Sequence, residues 1–136
     1  MAGGIRRFED LEVWQLGKQL TVMAYKLTGA FPEREIFGLV NQIRRAATSI
    51  PGNVAEGFGR YHYADRVRFY LNARGSLNEL KSHLLIAVAL EFLELASSQL
   101  ALDLLETLGV KLNNLIAATR KSQRTRRRPN SGEELQ

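Results

Sequence analysis

Cysteine is absent from this 136-residue chain. That excludes a disulfide framework, a thiolate nucleophile and any cysteine metal site. Histidine is scarce. His62 and His83 lie far apart without acids at ligand spacing, so neither a metal nor a cofactor is expected. No apolar run approaches the ~20 residues that a membrane span needs. Met1–Phe8 lacks the apolar segment of a secretory signal, so a cytoplasmic protein is expected. Strand-like alternation and internal repeats are also missing. No paired acids, nucleophile with base, or phosphate loop stands at usable spacing, so the chain is not expected to be an enzyme.

What is present is charge and helical periodicity. The chain is 45% hydrophobic and 24% charged, enough for one domain with a core. Its formal net charge is +5, unevenly spread. Residues 1–119 hold thirteen Lys/Arg against twelve Asp/Glu, for +1; residues 120–136 hold six against two, for +4. Within the body, residues 44–81 are basic and residues 82–119 acidic. A basic zone plus a basic tail suits a polyanionic partner; a solvated surface with a solubilising tail explains the same counts.

Four helices are expected, at about 9–28, 35–57, 64–92 and 98–119, followed by a basic, disordered tail over 120–136 that can extend the last helix by a turn or two. The first has the stripe Val13, Leu16, Leu20, Met23 and Leu27, with Trp14 beside it as a packing residue and Gly29 as its C-terminal cap. The second has Ile36, Val40, Ile43, Ala47, Ile50 and Val54. The third has Tyr70, Ala73, Leu77, Leu80, Leu84 and Ala87, with Arg66, Arg74 and Lys81 on a separate face and Gly75 marking close packing. The fourth has Ala101, Leu105, Leu108, Leu112 and Leu115, with Ser97 or Ser98 as its N-cap. Together they predict an all-α, antiparallel up-down four-helix bundle. The stripes are wider than one bundle needs, which predicts a homo-oligomer.

The second helix contains the chain's most distinctive stretch, Ser49-Ile50-Pro51-Gly52-Asn53-Val54-Ala55-Glu56-Gly57. Pro51 removes the bond to the carbonyl of Ala47. The apolar period keeps its phase across it, favouring one kinked helix over two short helices capped at Ser49. Arg45, Ser49, Asn53 and Glu56 form a polar line, in which Asn53 and Glu56 read as a hydrogen-bonded seam or, less readily, as a ligand site. The turn Phe58 to His62 mixes aromatics with Arg60. It can stack on bases and meet phosphate, or simply cap the bundle.

The stretch Ser49–Gly57 resembles the signature Ser-Ile-Pro-x-Asn-(Ile/Val)-Ala-Glu-Gly of a bacterial four-helix-bundle family. Its members include proteins encoded in intervening sequences of large-subunit ribosomal RNA genes and the accessory variability determinants of diversity-generating retroelements. Phe8-Glu9-Asp10-Leu11-Glu12-Val13-Trp14 and the segment Arg68–Leu80 are similar to two further family stretches. Gly52 stands where alanine is usual, and Asn72 and Arg74 are more polar than the family pattern. The resemblance implies a homopentameric barrel of up-down bundles, with Ser49, Pro51, Asn53, Glu56 and Gly57 as structural signature residues and no catalytic activity. For retroelement members it also implies partnership with a reverse transcriptase and its RNA.

The expected function is therefore a nucleic-acid-binding accessory or scaffold protein for RNA or DNA. Arg44, Arg45, Arg60, Arg66, Arg68, Arg74 and Lys81 are the candidate phosphate contacts, and the tail residues Arg124, Arg126, Arg127 and Arg128 supply a mobile basic arm. The alternative is an oligomeric protein-interaction module whose charge complements an acidic protein surface.

Overall fold

A computed structural model describes residues 4–127. Four helices account for most of them: α1 (Glu12–Thr28), α2 (Asn41–Phe58), α3 (Tyr63–Ala89) and α4 (Leu95–Arg127). There is no strand among the described residues. A 3-10 turn at Phe8–Asp10 precedes α1, and a second at Glu33–Glu35 follows Pro32. Each helix packs on the next, and α4 returns to α1. Gly17 meets Pro51 and Thr21 meets Ala47; Ser49 meets Ser76 and Gly57 meets Tyr70; Arg74 meets Asn113 and Lys81 meets Glu106, so successive helices run antiparallel and the bundle is up-down.

The apolar stripes on α2, α3 and α4 fall where their spacing puts them except at two positions: Ile36 lies exposed in the turn before α2, and Leu115 is only partly buried, with Ile116 in the core beside it. Ile43, Ala47, Ile50, Val54, Tyr70, Ala73, Leu80, Leu84, Ala87, Leu105, Leu108 and Leu112 are all buried. On α1 the buried line is Val13, Gly17, Leu20, Ala24 and Thr28, while Leu16, Met23 and Leu27 are only partly covered. The small residues win because they let α2 come closer. A Cβ placed on Gly17 would lie 3.2 Å from the Pro51 ring.

Pro51 does not break α2, which stays helical from Asn41 to Phe58. The residue with non-helical dihedrals is Gly38 (φ −106°, ψ −113°), inside a π-helical turn at Ile36–Val40 that leads into α2. The helix is thus continuous through Pro51, as its apolar phase predicts, and a further break in the helical path lies at its entry, at Gly38. The carbonyl of Ala47, which Pro51 leaves without its intrahelical donor, accepts instead from the Thr21 hydroxyl of α1 at 3.2 Å. That hydroxyl also reaches the Gly17 carbonyl at 2.9 Å.

Other expectations need correction. Gly75 is not a close-packing site: a Cβ there would meet nothing within 4 Å. Ser98 is not a cap. It lies in the first turn of α4, fully buried, with its Oγ donating to the Leu95 carbonyl at 2.9 Å. Gly29 caps α1 in right-handed conformation (φ −61°). α3 instead ends on Glu91 at φ 64°, with the Phe92 N–H closing on the Ala87 carbonyl at 3.0 Å. The extension of the last helix into the basic segment takes its full allowance. Residues 120–127 continue the helix by about two turns to Arg127, so α4 has 33 residues and a length of roughly 50 Å. Residues 128–136 of the expected tail lie outside the described residues. No described helix is long and apolar enough to cross a membrane.

Candidate nucleic-acid interface

The signature stretch forms a seam. Ser49 Oγ lies 2.8 Å from Ser76 Oγ of α3, and Asn53 Nδ2 donates to Ser49 Oγ at 2.9 Å and to the Ser49 carbonyl at 2.8 Å. This knot satisfies polar groups in a half-buried helix contact. Gly57 lets α3 cross at close range: a Cβ there would lie 2.8 Å from Tyr70 Cε1 and 3.1 Å from the Arg66 carbonyl oxygen. Tyr70 is buried beneath, which pushes its hydroxyl pKa up against the opposing charge of Arg66. Glu56 is not part of the seam. It is exposed and pairs with Arg60 at 2.9 Å.

The candidate basic residues do not share one face. Arg44 turns toward α1, donating from Nε to Thr28 Oγ1 at 2.9 Å and covering the Tyr25 ring at 4.5 Å. Arg45 lies on the α2–α3 groove with Glu79 and His83. Arg74 and Lys81 lie on the α3–α4 groove, where Arg74 donates to Asn113 at 3.1 Å and Lys81 pairs with Glu106 at 2.8 Å. The step that joins Arg66 to Arg74 and Lys81 along α3 does not make a shared surface. Arg66 sits at the helix start and turns over the bundle end, where its Nε donates to the Arg60 carbonyl at 2.7 Å.

At that end the remaining basic residues gather. Arg60 and Arg68 each lie 4.6 Å from the Phe69 ring, and Arg68 also reaches Asp65 at 3.8 Å. Arg66 stands over Tyr63 and Phe58 at 5.2 and 5.9 Å. The antiparallel course of α4 brings its last turns here, with Arg120, Lys121, Arg124 and Arg126 exposed. Tyr61, His62, Tyr63, Arg66 and Arg126 line one cleft of about 440 Å³. Arg66 and Arg126 have no acidic partner among the described residues. The N-terminal lead with Arg6 and Arg7 enters at the same end, because α1 runs antiparallel to α2 and so starts beside the end of α2. The loops at the opposite end carry Glu33, Glu35, Glu91 and Glu94 against Arg34. The side chain of Arg127, and all of Arg128, lie outside the described residues.

Sequence reasoning marked Tyr61 and His62 as an aromatic turn but did not join them to Arg126. The signal lay in the length of α4, which no apolar period reveals. Among the described residues no group of acids and histidines could hold a metal ion. The tip can do two things chemically: attract an anion by field, and offer aromatic surface to a flat ligand.

No curated protein matches the chain. A family model described as 23S rRNA-intervening sequence protein matches residues 9–114.

Proposed function

Because the chain belongs to the 23S rRNA-intervening sequence protein family, we propose that it is a non-enzymatic, oligomeric accessory protein that binds nucleic acid through the tip formed by the α2–α3 turn and the end of α4. The observation that carries this reading is the convergence of Arg60, Arg66, Arg68, Arg120, Lys121, Arg124 and Arg126 on one end of the bundle. Arg44 turns onto α1 and Lys81 is offset by Glu106, and at the tip Glu56 and Asp65 partly offset Arg60 and Arg68, so Arg66 and the cations of α4 supply most of the field. The homopentameric barrel implied by the resemblance would replicate the tip around a ring. A reverse transcriptase partner is the role this likeness suggests for a retroelement setting.

A salt titration of binding to a labelled oligonucleotide tests it. Binding weakens steeply with salt, and Arg124→Gln with Arg126→Gln lowers the log–log slope by about two while Arg44→Gln leaves it unchanged. Absence of binding at low salt and micromolar protein overturns the reading. Light scattering that returns the mass of one chain overturns the ring. A protein-interaction module is the second reading, favoured by Leu85, Ile86 and Leu90 exposed along one end of α3. Capture of a protein partner that survives nuclease treatment supports it.

A further inference from the structure

Resting on the nucleic-acid reading above, we infer that the tip selects unpaired polynucleotide, with Tyr61 as the platform for a base and Arg66 and Arg126 as phosphate contacts beside it. Tyr61 is 88% exposed. Its ring has one aromatic neighbour, the adjacent His62, at 5.0 Å between centroids and 88° between planes. That edge contact leaves the tyrosine without a stacked partner. The nearby aromatics are already occupied: Phe69 lies close to Arg60 and Arg68, while Phe58 and Tyr63 lie under Arg66.

Chemistry then separates the possible ligands. A duplex keeps its base faces inside the stack, so its internal bases have no face to lay on Tyr61. An unpaired base does, whatever its identity, because every base has a π-face. A duplex also needs phosphate contacts along an extended track. The arginines that could have made such a track, Arg44 and Arg74, turn into different grooves and bond there. What remains is a short cluster around one cleft, with a free ring at its mouth.

The molecule contains its own control. Phe37 is 94% exposed, even more than Tyr61, but it stands at the opposite end, close in sequence to Glu33 and Glu35. Exposure of an aromatic ring is thus common to both ends. At Tyr61 it coincides with two cationic side chains, Arg66 and Arg126, that share its cleft without covering its ring, whereas the other exposed ring beside a cation, Tyr25, is covered by Arg44.

The test is fluorescence anisotropy on the full chain with three labelled probes of equal phosphate count: an unstructured uridine 12-mer, an abasic 12-mer, and a short blunt hairpin. The uridine 12-mer binds tighter than the abasic strand and the hairpin by on the order of tenfold. Tyr61→Leu brings the uridine probe down to the abasic level with its salt slope unchanged; Tyr61→Phe keeps the preference, and Phe37→Leu changes nothing. Equal binding of uridine and abasic strands, or of Tyr61→Leu and the parent, removes the stacking role and leaves the electrostatic reading standing. Failure of all three probes to bind at low salt removes that reading, and the inference with it.

Discussion

Two adjoining stretches, Ser49–Gly57 and Gly59–Arg66, differ in almost every respect. In the first, all residues but Gly52 and Glu56 are buried or half-buried, and the polar groups of Ser49 and Asn53 are satisfied by Ser76 of α3 and by each other. In the second, Arg60, Tyr61 and His62 are exposed, and the guanidinium groups lie over aromatic rings, that of Arg60 also pairing with Glu56 and that of Arg66 with no carboxylate among the described residues. The more recognisable stretch is thus the one that holds helices together. The less regular one, a few residues on, faces the solvent and its contents. A motif that identifies a family need not be where that family meets its ligand.

The largest effect expected is at Gly57. Gly57→Ala puts a methyl group 2.8 Å from Tyr70 Cε1 and against the Arg66 carbonyl. Overpacking of this kind lowers stability by about 1–3 kcal/mol, more than the ~1 kcal/mol alanine gains over glycine in a helix. Urea denaturation measures it, and a variant as stable as the parent would break the contrast. Next is Thr21→Val, which leaves the Ala47 carbonyl without its donor. The expected loss is about 1–2 kcal/mol. In a Pro51→Ala background position 51 regains an N–H for that carbonyl, so the loss shrinks; equal losses in both backgrounds would refute the pairing.

Gly52→Ala sharpens the comparison within the motif itself. A Cβ there meets nothing within 4 Å, so alanine raises stability by up to ~1 kcal/mol. One motif then contains two glycines of opposite sign, separable by the same melt. The smallest effect is at Glu56→Gln. Its partner Arg60 and the acid are both well exposed, and the change in stability stays within ~0.5 kcal/mol. None of these four variants removes an exposed cation of the tip, so oligonucleotide binding stays close to the parent's in all of them.

Much of the fold was legible because apolar period reports burial directly. Tyr70, Ala73, Leu77, Leu80, Leu84 and Ala87 were read as one seam and are all buried. The period could not say which neighbour each polar residue would meet. Arg66 and Arg74 share a helix, yet one closes the bundle end and the other crosses to Asn113. Gly17 and Ala24 carried no signal in a search for large apolar residues, although they are what α2 packs against. The end of α4 was left open between helix and tail for a different reason. Arg120 to Arg127 has no apolar face to count, and its helical state rests on the good propensity of arginine, lysine and glutamine.

That extension changes how the terminal arginines would engage a ligand. A flexible string of cations must surrender about 1–2 kcal/mol of backbone freedom for every residue it fixes on contact. Arg120, Lys121, Arg124 and Arg126 belong to a rod that has already made this sacrifice during folding. On the proposed reading, their encounter with an anionic strand would resemble the docking of a key's teeth, whose spacing is cut in advance, more than the wrapping of a tether.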